Sequence, residues 1–173
     1  MRGEQRRTEL LRATLAVIER DGVAGVSHRA VAAEADVSVA STTYHFATLE
    51  DLLIAALTWA AEDLAAELHG WGSELGARPA DELARLIEHS LVRRRGRTLA
   101  LYELYLYAAR RPDLRVAAGA WLEPLTEIAR TFTADPHKAR LLVAALDGLL
   151  MQALIGVRDV DRADVAALLD VLR

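Results

Sequence analysis

The sequence predicts an all-α protein, and three observations lead to that fold class. Alanine and leucine dominate the 173 residues, and both rank high in helix propensity. Apolar residues recur at helical spacing along the chain, whereas no segment alternates apolar and polar residues convincingly as a half-buried strand would. Residues that start and stop helices divide these segments from one another. We therefore expect about nine helices and no strand.

The first three predicted helices are short and closely spaced. Apolar spacing predicts the first over residues 4–20, and Asp21-Gly22 should end it because glycine accepts the left-handed conformation of a helix C-cap. Serines suited to the N-cap position open the next two helices, which we expect over Ser27–Ala35 and Ser38–Phe46.

The second and third helices are separated by Asp36 and Val37 alone. Two helices joined so tightly must cross at a steep angle, which is the geometry of a helix-turn-helix. In that motif the second helix lies in the major groove of DNA. The spacing therefore predicts a DNA-reading head near the N-terminus.

A fourth helix is expected from Leu49 to about Leu68. Thr48 and Asp51 are spaced like a capping box at its start, and a Gly-rich stretch follows its end. Of the later helices, one should be capped by Asp135, before a first-turn proline. The five later helices are expected over residues 79–95, with Gly96 as the stop, and over 98–110, 112–132, 137–157 and 161–173.

Composition narrows the class of protein. The chain has no cysteine, which excludes disulfide and thiol chemistry and suits a reducing cytoplasm. The most apolar stretch, Leu141–Val157, is short and is interrupted by Asp147 and Gln152, so we expect no membrane span. The N-terminus shows no signal-peptide pattern. We therefore expect a cytoplasmic protein without a membrane partner.

The charge of the predicted head is low for a DNA-binding segment. The chain carries a formal net charge of −4, and residues 1–50 hold six arginines against seven aspartates and glutamates, a net of −1. A sequence-specific reader needs only a local basic face. The charge therefore predicts modest nonspecific affinity for DNA.

No motif of catalysis or metal binding stands out. The five histidines fall in no metal-ligand spacing, and Walker, nucleophile-elbow and dinucleotide patterns are absent. We expect no enzyme activity, no metal site and no cofactor. The densest basic run, Arg93–Arg97, is interpreted as the chemistry of a helix C-terminus rather than as a nucleic-acid site.

The segment Leu10–Leu53 resembles the DNA-binding domain of the tetracycline-repressor (TetR) family of transcriptional regulators. Its Tyr-His-Phe ending, followed by a capped helix, is the most specific element, and the rest of the chain resembles the family only in style. The matching motifs are Val26-Ser27-His28-Arg29-Ala30-Val31-Ala32, Ala35-Asp36-Val37-Ser38, Thr43-Tyr44-His45-Phe46 and Glu50-Asp51-Leu52-Leu53.

The resemblance implies an all-helical homodimer with two domains. Residues 1–47 would form the helix-turn-helix DNA-binding domain, and residues 48–173 a helical ligand-binding and dimerisation domain. A small ligand in the second domain would change the spacing of the two heads and release the DNA.

The resemblance also assigns DNA contacts. Positions of the third helix read bases, where hydroxyl groups can serve several bases and methyl groups can touch thymine. Arg29 matches a position that can reach a guanine edge. Other matching positions contact phosphate, which sets register rather than sequence. The DNA-binding residues are expected to be Ser27, Arg29, Ser38, Val39, Ala40, Ser41, Thr43, Tyr44 and His45.

Two positions depart from the family pattern. Thr43 stands where many relatives carry an aromatic residue, and Leu49 stands where they carry lysine at the start of the fourth helix. Both departures remove possible contacts with the DNA backbone. Backbone amides at the start of the fourth helix could still hold a phosphate.

Large side chains of the body are candidates to line a ligand pocket, although such residues on amphipathic helices are more often ordinary core. Glu103 and Glu127 lie on apolar segments and could pair with a cationic ligand, with water or with an arginine. The pocket candidates are Trp59, Tyr102, Tyr105, Leu106, Trp121 and Leu125.

The penultimate predicted helix is apolar on too many faces for a surface helix, so it must be buried in the core or at an oligomer interface. Small residues such as Ala144 and Gly148 would allow another helix to approach closely. Together with the last helix, this favours a dimer interface. Its candidates are Leu142, Leu146, Leu149, Leu150, Leu154 and Leu168.

These observations lead to one functional hypothesis and two alternatives. We expect a ligand-responsive transcriptional regulator, a repressor that binds a palindromic double-stranded operator as a homodimer and is released by a small-molecule effector. The first alternative is a helical small-molecule-binding protein or enzyme without DNA function. The second keeps the fold but makes the protein an activator, or a regulator controlled by a protein partner.

Overall fold

The computed structural model describes residues 2–72 and 79–172, except for the side chains at 2, 68–72, 79–80, 121 and 171–172. Within this part of the chain there are nine α-helices and no strand, which confirms the predicted all-α class. The helices are α1 (Arg2–Asp21), α2 (His28–Glu34), α3 (Val39–His45), α4 (Leu49–Gly72), α5 (Pro79–Glu88), α6 (Arg95–Tyr107), α7 (Arg115–Phe132), α8 (Pro136–Leu154) and α9 (Arg162–Leu172).

The predicted caps form as expected because each depends on neighbouring residues alone. Asp51 and Thr48 make the reciprocal bonds of a capping box, with Thr48 N–H donating to Asp51 Oδ2 (3.1 Å) and Asp51 N–H to Thr48 Oγ1 (3.0 Å). Asp161 and Asp164 do the same at α9. Asp135 Oδ1 accepts the N–H of the second residue of α8 at 2.8 Å, and this bond lowers the pKa of the Asp135 carboxyl.

The prediction that Gly96 stops a helix was wrong. Helix α5 ends at Glu88 and continues as one π-helical turn over His89–Arg93, and α6 begins at Arg95, so Gly96 lies in its first turn. A side chain at Gly96 would lie 3.3 Å from Glu19 Oε2, so this glycine permits close approach to α1. The helical path is interrupted at Arg94 instead.

Packing divides the chain into two compact units, neither of them continuous in sequence. The first comprises Met1–Glu62 and Gly96–Trp121, and the second Asp63–Arg95 and Leu122–Arg173. The domain boundary between residues 47 and 48 stays a prediction.

The first unit has a core of leucines drawn from three helices and the turn before α7. Leu10, Leu52, Leu57, Leu104 and Leu114 are fully buried. Thr14 is equally buried, and its hydroxyl donates to the carbonyl of Leu10 at 2.8 Å, so its polar group is satisfied within α1. The core therefore joins α1, α4 and α6 in one packed body.

The second unit has its own core between α5, α8 and α9. Leu83, Ile87, Leu142 and Val165 are its most deeply buried larger residues. Leu142 is 1% exposed and Leu154 is 5% exposed. Both side chains are therefore packed within the protomer, and their assignment to a dimer interface stays a prediction.

Among residues 2–72 and 79–172, no helix has both the length and the apolar character needed to cross a membrane.

Candidate DNA-binding site

The turn between α2 and α3 is closed by local hydrogen bonds. Val37 N–H donates to the Ala32 carbonyl at 2.9 Å and Asp36 N–H to the Ala33 carbonyl at 3.3 Å, the pair of bonds that defines a Schellman motif. Asp36 has φ 53°, a left-handed conformation that aspartate tolerates better than most residues. The two short helices are thus held at a defined angle by the turn itself.

Both predicted serine caps are present. Ser27 Oγ accepts the N–H of Ala30 at 3.1 Å, and Ser38 Oγ accepts the N–H of Ser41 at 3.2 Å. Each bond satisfies a backbone donor that the first turn of a helix would leave without a partner. These caps fix where α2 and α3 begin, and so which residues face outward.

The inner face of α3 holds a residue that sequence reasoning missed. Thr42 is fully buried, and its Oγ1 donates to the Val39 carbonyl at 2.7 Å, within 3.5 Å of the His28 carbonyl on α2. Phe46, which follows α3, is 3% exposed and belongs to the core. The three-residue spacing from Val39 to Thr42 could have indicated that Thr42 is buried, but threonine is equally common at exposed positions of a helix.

The outer face of the head carries the residues predicted to contact DNA. Of the nine, Tyr44 is 86% exposed and Val39 is 44% exposed. Ser41 and His45 are half-buried. The remaining five are also exposed, namely Ser27, Arg29, Ser38, Ala40 and Thr43.

Two arginines of the head are paired with carboxylates. Arg20 on α1 binds Glu34 on α2 at 2.6 Å, and this bond, with a second to Asp21, raises the pKa of Arg20. Arg6 pairs with Glu9 at 2.8 Å. By contrast, Arg29 is exposed and makes no hydrogen bond or ion pair within the described part of the chain.

Local side chains accept backbone N–H groups at the start of α4. The capping box takes up the N–H groups of Thr48 and Asp51, and Leu49 is 36% exposed. Glu50 binds Arg111, with Arg111 Nε 3.0 Å from Glu50 Oε1, which raises the pKa of Arg111. Two of the amides considered for a phosphate are therefore already hydrogen-bonded.

A carboxylate on α6 holds the turn that leads into α2. Val23 N–H donates to Glu103 Oε2 at 2.8 Å, across eighty positions of sequence. The preceding Gly22 has φ 73° and ψ 172°, and a side chain there would lie 3.1 Å from the same oxygen. The sequence left a cationic ligand, water or an arginine as partners of Glu103, and the structure adds a backbone N–H that was not foreseen.

Trp59 on α4 contacts two arginines. The guanidinium of Arg12 on α1 lies 5.9 Å from the indole centroid, and that of Arg97 on α6 lies 5.1 Å from it. Elsewhere in the basic run, in the second unit, Arg94 binds Asp63 at 2.9 Å and Arg95 donates to the Leu154 carbonyl at 2.7 Å. Three arginines of the run thus have partners within the protein, but residues 95–97 open α6 and do not form the helix C-terminus that was predicted.

The predicted ligand-pocket residues have different surroundings. Trp59 lines a cavity of about 590 Å³ in the first unit. Tyr102 is buried, Tyr105 is half-buried and Leu106 is 56% exposed. Leu125 packs against the core of the second unit, and the side chain of Trp121 lies outside the described residues. Glu127, the other acid considered for a ligand, pairs with Arg130.

The outward face of α8 consists of small and apolar residues. Leu141, Ala144, Ala145 and Gly148 are spaced so that they share one face of the helix. Leu141 is 61% exposed, and a side chain added at Gly148 would meet nothing within 4 Å. Leu146, Leu150 and Leu168 pack partly against the core of the second unit, and Leu149 is half-buried.

A rigid helix-turn-helix with an exposed outer face, followed by a helical body, defines a helix-turn-helix DNA-binding regulator. Two family models match the chain: "Bacterial regulatory proteins, tetR family" over residues 10–56, and "Tetracyclin repressor-like, C-terminal domain" over residues 76–173. The chain belongs to the TetR family, whose members are ligand-responsive DNA-binding transcriptional regulators and not enzymes.

Solved structures resemble the whole chain. The multidrug binding protein EbrR complexed with ethidium is 43% identical, with a TM-score of 0.83 and coverage of 97% of this chain and 98% of EbrR. Its complex with malachite green is 42% identical, with a TM-score of 0.76 and 96% coverage of both chains. The TetR-family member SCO1917 from Streptomyces coelicolor A3 is 42% identical, with a TM-score of 0.83 and coverage of 96% and 97%. A comparison with curated proteins finds no match.

Proposed function

We propose that this protein is a cytoplasmic repressor that binds a palindromic operator as a homodimer and leaves it when a small molecule binds. The observation that carries the proposal is the exposed outer face of α3, presented by a turn that local hydrogen bonds hold rigid. Residues 1–47 serve as the DNA-binding domain, and residues 48–173 bind the effector and the second chain.

DNA contacts divide into two kinds. Val39, Ala40, Ser41 and Thr43 face the bases of the major groove with Arg29, and the remaining predicted residues, Ser27, Ser38, Tyr44 and His45, contact or support contact with phosphates. The test is selection from a random pool of duplex DNA at low salt, followed by a mobility-shift assay. Recovery of a two-fold sequence supports the proposal, whereas failure to retain any duplex contradicts it.

Arg29→Ala should weaken binding to the selected operator by about 1–3 kcal/mol and leave scrambled DNA almost unaffected. The physical reason is that Arg29 is the free cation of α2 and α3, and its fork matches the two acceptors on guanine. Competition mobility shifts on both DNAs measure the difference.

Arg29→Lys is the matched control. Lysine keeps the charge and loses the planar fork. If Arg29→Lys binds both DNAs as well as the natural protein does, Arg29 contacts a phosphate and does not read a base. The same conclusion follows if Arg29→Ala loses affinity equally for both DNAs.

Dimerisation is assigned to the outward face of α8, with the exposed part of α9. Leu149 and Leu168 lie at its margin, and the small residues Ala144, Ala145 and Gly148 permit close helix packing. A two-fold dimer presents two equivalent heads, which is why the operator should be palindromic.

The effector is proposed to be an aromatic cation. EbrR, at 43% identity over nearly the whole chain, has been solved with ethidium, and also with proflavin and malachite green. All three dyes share an aromatic system that carries positive charge. This likeness favours a similar chemical class for this chain.

Malachite green should raise the melting temperature of the protein by about 5–10 °C at a hundredfold excess over its Kd, because a ligand that binds only the folded state stabilises it. The protein is melted without DNA, so that binding of a dye to the duplex does not enter the measurement. Fluorescein serves as an anionic aromatic control. Equal shifts with both dyes, or none with either, would contradict the proposed class.

A further inference from the structure

The exposed face of α3 presents methyl groups. Val39 and Ala40 are exposed, and their side chains, an isopropyl group and a methyl group, are wholly hydrocarbon. Thr43, one turn further along, is also exposed and carries a methyl beside its hydroxyl. These three side chains of the reading helix thus each carry at least one methyl group.

The hydroxyl of Thr43 is engaged within its own helix. Thr43 Oγ1 lies 3.3 Å from the Val39 carbonyl and 3.2 Å from the Ala40 carbonyl, and it donates to them. A hydroxyl has a single hydrogen to donate. The donor of Thr43 is therefore committed within the helix, so toward DNA the side chain can offer its methyl group and, as an acceptor only, its hydroxyl oxygen.

Side chains that usually read bases by paired hydrogen bonds are missing from α3. Its sequence, Val39–His45, contains no arginine, lysine, asparagine or glutamine. Those residues read guanine or adenine through two hydrogen bonds at once, whereas hydrocarbon groups recognise the C5-methyl of thymine. The hydroxyl of Ser38, just before α3, already accepts the N–H of Ser41 as the helix cap. Val39, Ala40 and Thr43 can therefore offer methyl groups to thymine, while Ser41 carries a hydroxyl that can serve several bases.

We propose that the operator half-site presents at least two neighbouring thymine methyls to Val39, Ala40 and Thr43. Val39 and Thr43 are four residues apart, which is about 6 Å along a helix, and base pairs stack about 3.4 Å apart. The three side chains therefore span more than one base pair. This inference rests on the proposed function and specifies the DNA sequences that the same site selects.

The test replaces each thymidine of the selected operator in turn by deoxyuridine, which removes the C5-methyl and leaves every hydrogen-bonding group in place. Affinity should fall about fourfold at each of two or more neighbouring positions. Changing one of these pairs from T·A to C·G should also weaken binding, and 5-methylcytosine at that position should restore part of the loss.

Two variants of Thr43 provide a matched comparison. Thr43→Val keeps the methyl and removes the hydroxyl, so it should remain sensitive to deoxyuridine. Thr43→Ser keeps the hydroxyl and removes the methyl, so it should lose sensitivity at one position. The opposite pattern, in which Thr43→Ser stays sensitive and Thr43→Val does not, would show that the Thr43 methyl does not contact thymine and would overturn the inference.

The possible failures are distinguishable. If the protein selects an operator but deoxyuridine changes its affinity at no position, methyl recognition is wrong and the DNA-binding function stands. If no duplex is retained from the pool, the proposed function fails together with the inference.

Discussion

Gly148→Glu should turn the proposed dimer into a monomer and lower its affinity for the intact operator by about 10²–10⁴-fold. A side chain added at Gly148 meets nothing within 4 Å in the protomer, so the variant should fold. Glutamate is also a better helix former than glycine. In the dimer, however, the same carboxylate would be buried against a second copy of itself.

The matched control is Gly119→Glu. Gly119 on α7 also has no neighbour within 4 Å, so the substitution makes the same chemical change away from the proposed interface. Sedimentation gives the mass of each variant, and mobility shifts give its affinity. A Gly148→Glu protein that remains dimeric would show that this face of α8 is not the interface.

Gly22→Ala should lower the free energy of unfolding by about 1–3 kcal/mol and weaken operator binding as well. Its φ of 73° and ψ of 172° suit glycine almost alone, and the new methyl would lie 3.1 Å from Glu103 Oε2. That oxygen holds the N–H of Val23, so the turn into α2 would have to move. Denaturant unfolding and mobility shifts measure the two effects.

A double-mutant cycle with Glu103→Ala separates the two causes. If the contact with Glu103 contributes, Gly22→Ala should cost less in the Glu103→Ala background than in the natural protein. Gly3→Ala, in α1 and without neighbours within 4 Å, is the control and should not destabilise the protein. Equal costs in both backgrounds would leave backbone strain as the whole effect.

Features that depend on neighbouring residues were predictable from sequence. The caps at Ser27, Ser38 and Asp135 and the box at Thr48–Asp51 all form, because a side-chain oxygen and a nearby N–H suffice to make them. The helix-turn-helix followed from the same local signals.

Features that depend on distant residues were not predictable. Gly96 lies in the first turn of α6, where a side chain would approach Glu19 of α1, and Glu103 meets a backbone group eighty positions away. Helix α8 is apolar on several faces, so hydrophobicity alone could not separate its core residue Leu142 from its outward residue Leu141. Only packing assigns these roles.

The central claim is that two copies of the outer face of α3 read one two-fold DNA site. The most direct measurement is sedimentation of the protein with its selected operator, with a duplex that holds one half-site, and with a scrambled duplex. Two chains should bind the operator, and the half-site should bind far more weakly. A single chain that binds operator and half-site equally well, or equal binding of the scrambled duplex, would contradict the claim.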